Sequence, residues 1–367
     1  MHVPDGFLDV PTSVATAVVA AGAVGAAVRA AGTQIRRDGP ALAGLTAAFV
    51  FAVQMVNFPV GAGTSGHLMG GALAAALVGP WTAVLALTCV LVVQGLLFAD
   101  GGLTALGTNV LLIGVTTVLV ASLVMRGLMA VLPKRPAYVV PAAAIGGLVS
   151  VPAAAMVFVA LYAVGGTAPI PLPALTTAML GWHVLIGIGE AVITAAVLGA
   201  VVAARPDVVD ACRGMRPDLV LLDAQGGRRI VPADTGPAPA RRSNRPVLVW
   251  LGLVSLLAAG GLSLLASASP DGLEWVAERL GFAGSAAESA TAGSPVSDYE
   301  LAGLPHPWGA VLAGLVGVLV TVAAALVLAA AARGRRRPRG SRTGGVEPVE
   351  SGSGAGQPAG TGSASRR

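Results

Sequence analysis

Charge is scarce in this 367-residue chain: Asp, Glu, Lys and Arg together make up only 11% of it, less than half of the roughly 25% usual in soluble domains. With 55% hydrophobic residues and a mean hydropathy of +0.79, that scarcity excludes an ordinary water-soluble domain and predicts a polytopic membrane protein. Cysteine is nearly missing too. Cys89 lies inside an apolar run and Cys212 in a polar stretch, too few and too differently placed for a disulfide framework or a thiolate metal cluster. Lys134 is the sole lysine beside 22 arginines. It sits in Pro133-Lys134-Arg135, outside any Gly-x-x-x-x-Gly-Lys-Ser/Thr pattern, so the chain carries no standard phosphate-binding loop for hydrolysing ATP. No basic residue precedes the first apolar run, which argues against a secretory signal and predicts an uncleaved, outward-facing N-terminus. Nucleic acid is not an expected partner despite a pI of about 10.0, because the arginines fall in short clusters beside apolar runs, the pattern that orients membrane spans. The alanine, glycine and arginine bias suggests a GC-rich bacterial genome and a bacterial cell membrane as the location.

Apolar runs able to cross ~30 Å of hydrocarbon fall at about 11–31, 41–60, 103–131, 137–164, 176–204, 247–266 and 307–332. Residues 67–99 are too long for one ordinary span and are broken by Gly79-Pro80, so they read as one kinked helix or a tight hairpin of short helices, the first re-entrant. Basic residues belong on the cytoplasmic side. Arg29, Arg36 and Arg37 place the first loop inside; only the hairpin then keeps Lys134, the eight arginines of 205–246 and the Arg333–Arg339 cluster inside as well. The expected fold is all-α: a membrane bundle of about seven helices including the short hairpin, then a two-helix membrane module. The expected domains are 1–204, a small-residue-rich bundle whose helices approach closely; 205–246, a basic cytoplasmic linker; 247–332, two helices around an external acidic loop; and 333–367, a basic, disordered cytoplasmic tail. The N-terminus is placed outside and the C-terminus inside. The loop carries Asp271, Glu274, Glu278, Glu288, Asp298 and Glu300 against Arg279 alone, a surplus able to attract cations, with a solvated loop as the commoner reading.

Against this apolar background the four histidines stand out. A free terminal amine, the amide nitrogen between Met1 and His2, and one imidazole nitrogen of His2 close five- and six-membered chelate rings around one ion. A fourth nitrogen completes the square-planar field favoured by Ni(II) and Cu(II), with Co(II) a neighbour. His67 ends the glycine-rich stretch that begins Asn57-Phe58-Pro59-Val60-Gly61-Ala62-Gly63-Thr64-Ser65-Gly66 and is placed on the same face as His2. Protons compete for every one of these nitrogens, so binding is expected to weaken in acid. His183 and Glu190, seven apart on one helix, share a face; interhelical hydrogen bonding is the plainer reading, a proton relay or support of the metal site the other. Asn57 and Ser65 lie close enough to His67 to support it, whereas Gln54 and Gln94 read as packing groups and His306, between two prolines at the membrane border, as interfacial.

Met1-His2-Val3-Pro4-Asp5-Gly6-Phe7, Asn57-Phe58-Pro59-Val60, Gly63-Thr64-Ser65-Gly66-His67-Leu68, Gly79-Pro80-Trp81, Gln94-Gly95-Leu96-Leu97-Phe98-Ala99-Asp100-Gly101-Gly102 and Gly181-Trp182-His183 resemble, in order and spacing, the CbiM/NikM family. Its members are the membrane-embedded substrate-capture components of energy-coupling-factor transporters for cobalt and nickel. The resemblance runs through 1–204. It implies a Co(II) or Ni(II) cargo held by Met1, His2 and His67, no other cofactor, and partners in ATP-binding-cassette ATPase subunits, a coupling transmembrane subunit and the bilayer. Family habit leans to cobalt. Pro270-Asp271-Gly272-Leu273-Glu274 resembles the signature of the PDGLE domain, which is fused to such components or encoded beside them.

Two other functions compete. Gly63-Thr64-Ser65-Gly66 matches the Gly-x-Ser-Gly pattern of rhomboid intramembrane proteases, with His183 as a conceivable base, but this leaves the N-terminus and His67 unexplained. A proton-coupled secondary metal transporter using His183 and Glu190 is the stronger rival, separable by its energy source.

Overall fold

A computed structural model describes residues 1–215, 219–222, 228–231 and 243–334. Helix α1 (Val10–Asp38) starts where the Asp9 carboxylate accepts from Thr12 N and Pro11 occupies the first turn. Gly39 (φ 85) turns the chain into α2 (Pro40–Gln54). The span expected at 41–60 therefore stops early, and at 15 residues α2 reaches only roughly 22 Å. Beyond it the chain forms a small antiparallel hairpin, β1 (Phe58–Gly61) and β2 (Thr64–Gly66), with Pro59 opposite Ser65. Pro59 lacks the N–H a continuing helix needs, and Gly61 and Gly63 adopt positive φ at the turn.

Helix α3 (Gly71–Val78) is buried on every side and packs against α4 (Pro80–Leu97) across Gly79, whose φ of 79 makes the corner. Eight residues are about 12 Å of helix, too short to cross a bilayer, so α3 is the short arm of the hairpin expected at 67–99. Next comes one apolar helix, Leu106–Val131, made of α5 (Leu106–Asn109), a π-helical stretch at Val110–Thr116 and α6 (Thr117–Val131). Then α7 (Pro136–Gly165) and α8 (Leu172–Ala204) lie along each other. Gly187 lets α8 come close to the Leu148 carbonyl: a Cβ there would sit 2.8 Å from that oxygen.

After α8, β3 (Leu219–Leu222) and β4 (Arg228–Val231) pair antiparallel. Three more helices complete the described chain: α9 (Arg245–Gly260), α10 (Gly272–Leu280) and α11 (Trp308–Gly334). Among the described residues seven helices are long and apolar enough to cross a membrane, and large apolar side chains such as Leu123, Val164 and Val327 point outward, as a lipid-facing belt requires. The protein is a multi-pass helical membrane protein. Helix α11 packs on α2 and α9, with Gly317 lying where any side chain would collide with the Phe51 ring.

The acidic loop departs from expectation. It is not simply solvated, because it folds into α10 and buries Leu273, Val276, Ala277 and Phe282; Trp275 meets Trp182 of α8 edge to face, with ring centroids 4.9 Å apart. The capping box formed by Asp271 and Glu274 nucleates this helix. One compact unit spans Met1–Arg335 and Arg336–Arg367 divides off as a second. The second unit, where the disordered tail was expected, lies outside the described residues, as do parts of the linker.

Candidate metal centre

The first eight residues form no helix: Pro4 leads into a turn at Asp5-Gly6, where Gly6 takes φ 88, and the segment is threaded into the bundle. Val3 exchanges two hydrogen bonds with the Asn109 side chain, donating from N at 2.7 Å and accepting at O at 3.0 Å. The Asp5 carboxylate accepts from the backbone N–H groups of Leu103, Thr104 and Ala105 and from the Thr104 hydroxyl, capping the chain that leads into α5. The Asp5 carbonyl accepts from Ala287 N at 2.8 Å, so the terminus is gripped from the C-terminal module as well. Sequence reasoning missed Asn109 as an anchor, although Asp5 stands in the N-terminal motif.

This threading buries Met1 and brings its amine 2.6 Å from His67 Nε2. His67 Nδ1 donates to the Leu68 carbonyl at 3.1 Å, which fixes the tautomer and leaves the Nε2 lone pair facing the amine. The His2 ring stacks on the His67 ring with centroids 5.0 Å apart. His2 Nε2 meets Gln94 Oε1 at 3.2 Å and Nδ1 meets Asp100 Oδ1 at 3.1 Å. Both partners are acceptors and a neutral ring donates to one of them; donation from Nε2 to Gln94 leaves the lone pair, beside Asp100, on Nδ1, the ring nitrogen that can close a six-membered chelate ring. Burial, and then the neighbouring terminal ammonium, push both imidazoles down to about 3, so both are neutral near pH 7 and offer lone pairs. Burial raises the Asp100 carboxyl, opposed by the Tyr299 hydroxyl that donates to Oδ2 at 2.5 Å.

The site opens on a cavity of about 530 Å3 lined by His2, Asn57, His67, Asp100, Asp271 and Tyr299 among others. Asn57 reaches this wall, and its carbonyl accepts from Ser267 N at 2.8 Å. Ser65 points elsewhere: its hydroxyl donates to the Ser269 carbonyl at 2.7 Å, and its N–H donates to the Pro270 carbonyl at 2.9 Å. Ser65 thus ties the hairpin to the turn before α10. His183 is fully buried, with Nδ1 on the Met179 carbonyl at 2.8 Å, so Ser65 and His183 do not form the dyad a protease needs. His306 is exposed beside Glu300. Among the described residues no group of three or more His, Cys, Asp and Glu side chains has the geometry of a metal site; a complete donor set here has to draw on the terminal amine or the backbone.

Glu190 holds the loop that carries His67. Its carboxylate accepts from Met69 N at 2.6 Å and from Gly70 N at 3.0 Å, while Gln54 Nε2 donates to the Met69 carbonyl at 2.9 Å. Glu190→Ala strands two buried N–H groups, each at about 1–3 kcal/mol. Thermal unfolding in detergent should show a loss on the order of 2–6 kcal/mol, with Glu190→Gln, which keeps one acceptor, falling between.

The family described as "Cobalt uptake substrate-specific transmembrane region" matches residues 2–208, and the "PDGLE domain" matches residues 245–334. The chain is 32% identical to the "Putative fused nickel transport protein NikMN" of Archaeoglobus fulgidus, over 91% of this chain and 99% of that protein. It is 33% identical to the "Probable fused nickel transport protein LarMN" of Lactiplantibacillus plantarum, over 87% and 95%. It is 29% identical to the "Fused nickel transport protein NikMN" of Rhodobacter capsulatus, over 88% and 95%. With both family matches in one polypeptide and relatives aligned over nearly their whole length, the chain belongs to the CbiM/NikM family of cobalt and nickel transport components, carrying a PDGLE domain behind its metal-transport region.

Proposed function

We propose that the protein is the capture component of an energy-coupling-factor importer and that it binds dehydrated Co(II) or Ni(II) at its own N-terminus. The observation that carries this reading is the approach of the buried Met1 amine to His67 Nε2 at 2.6 Å with the His2 ring stacked alongside. Three nitrogens of Met1 and His2 and a fourth from His67 make a compact all-nitrogen set suited to Ni(II) and its neighbours. Asn57, Glu190 and Gln54 support the loop from behind, and His183 packs the adjoining helix. The fused relatives are named for nickel, which makes Ni(II) the first ion to offer and tempers the family's lean to cobalt.

Energy comes from separate ATP-binding-cassette subunits through a coupling transmembrane subunit, since the sequence holds no phosphate-binding loop. The division into a capture bundle at 1–204, a linker at 205–246, a PDGLE module at 247–332 and a tail at 333–367 belongs to the same reading. So does the orientation, with the metal site outside and the arginine-rich segments inside.

The test compares protein beginning at Met1 with protein carrying two extra residues ahead of it, each purified, offered Ni(II) or Co(II), and assayed for bound metal and visible absorption. Near-stoichiometric metal on the first and less than about a tenth as much on the second is the expected result. Equal loading of both would remove the terminal amine as a ligand.

A further inference from the structure

Helix α3 lies within the bundle and is fastened by polar groups at its two ends. Its sequence, Gly71-Ala72-Leu73-Ala74-Ala75-Ala76-Leu77-Val78, has no side chain able to hydrogen-bond, and every residue of it is buried. Gly70 (φ 81) and Gly79 (φ 79) flank it in backbone conformations that other residues rarely adopt. The end nearer the metal site is held by the Glu190 carboxylate on Met69 N and Gly70 N. At the far end Gln34 and Asp210 lie against Gly79, and Thr82 donates to Gln34 Oε1 at 2.9 Å.

Two helices packed on α3 each carry a hydroxyl one turn farther from the metal site. On α8, Thr194 follows Glu190 by four residues; on α2, Thr46 precedes Val50, the residue against Gly70, by four. Residues four apart lie on one helix face. With α2 and α8 both in contact with α3, the two threonines occupy the faces that meet it, about 6 Å along its length. Both are fully buried, and neither hydroxyl has a hydrogen-bond partner among the described residues. Other helical threonines behave differently: Thr88, Thr176 and Thr177 each donate to the carbonyl four residues back. An unpaired hydroxyl in an apolar interior is costly, and α3 offers it only methyl and methylene groups.

We propose that Thr46 and Thr194 line the passage by which the captured ion leaves the metal site, and that α3 is the plug that shuts it. This rests on the capture-component reading and deepens it by naming the way out. A cation crossing the bundle needs oxygen donors at intervals in place of its water. Glu190 supplies them at the near end of α3, Thr46 and Thr194 one turn on, and Thr82 with Gln34 at the Gly79 corner. With the plug seated, the two hydroxyls face hydrocarbon. Rotation at Gly70 and Gly79 withdraws it without breaking a hydrogen bond to any α3 side chain, since α3 has none to break.

The test is Ni(II) uptake by cells that supply the ATPase and coupling subunits, with Thr46→Val and Thr194→Val made singly and together in the full-length protein. Valine keeps the shape and removes the hydroxyl. Loss of an unpaired group should leave the melting temperature of the purified protein unchanged or higher. Ni(II) affinity, measured by competition with a chelator, should stay within about threefold of wild type, because the N-terminus is untouched. The initial uptake rate of the double variant should fall about tenfold or more, as two oxygen contacts to the moving ion are lost. Thr177→Val, at an exposed threonine of the same helix as Thr194, should leave that rate unchanged. Uptake by the double variant equal to wild type would overturn the proposal, as would a fall in uptake matched by a fall in affinity or melting temperature. Absence of ATPase-dependent uptake by the unsubstituted protein would overturn the capture-component reading, and this one with it.

Discussion

His67→Ala should lower metal affinity at least about 100-fold, since loss of groups that merely orient a ligand already costs roughly 10–100-fold. The substitution removes the one side chain that meets the Met1 amine at 2.6 Å and stacks on His2. Folding should be far less affected. The terminal ammonium keeps Asp271 at 2.8 Å, and the loop stays held through Met69 N and Gly70 N on Glu190. His306→Ala is the matched control: its side chain is 64% exposed and pairs with Glu300, so metal binding should not change. Equilibrium competition with a coloured chelator measures both. An affinity for His67→Ala within threefold of wild type would show that the imidazole is not a ligand.

The second large effect needs no change to any donor. Gly102→Ala should abolish high-affinity binding by dislodging the terminus. A Cβ at Gly102 would lie 2.3 Å from Asp5 N and 2.2 Å from Asp5 Oδ1, and backbone cannot step aside as the end of a side chain can. The same glycine donates its N–H to the Val3 carbonyl at 3.0 Å, so displacement of Asp5 carries Val3 and then His2 with it. Overpacking of this kind costs about 1–3 kcal/mol in stability. Its larger consequence is geometric, because a shift of one ångström at Met1 takes the amine out of reach of His67. Bound metal per chain and the melting temperature, read together on Gly102→Ala, give the outcome; full metal loading with an unchanged melting temperature would show that the terminus has another seat.

The meeting of Met1, His2 and His67 was legible because ionisable groups are rare in so apolar a chain, and a histidine at the second position singles out the terminus. The order of helices came from hydropathy and from where the arginines fall. The end of α2 did not, because Val53-Gln54-Met55-Val56 reads as a continuing apolar run; only Pro59 and the glycines beyond it announce the β1–β2 turn. Asp271 and Tyr299 were least legible. Their burial depends on α10 and the coil after it packing against segments 100 to 270 positions away, and no local pattern distinguishes a loop acid in water from one directed at an amine. Ser65 illustrates the same limit: its motif marks it as a neighbour of His67, but its hydroxyl serves the turn of the PDGLE module.

Met1 and Asp271 are separated by about 270 residues, and synthesis at roughly 5–20 residues per second puts tens of seconds between them. For that interval the amine of the growing chain has no carboxylate to meet, and residues 285–287, which close over Gly6 and Asp5, do not yet exist. The contact that finishes the site is thus among the last the ribosome makes available, so an interrupted chain lacks the seat that a finished one has. Metal retention would then report on completed biosynthesis as well as on ligand chemistry.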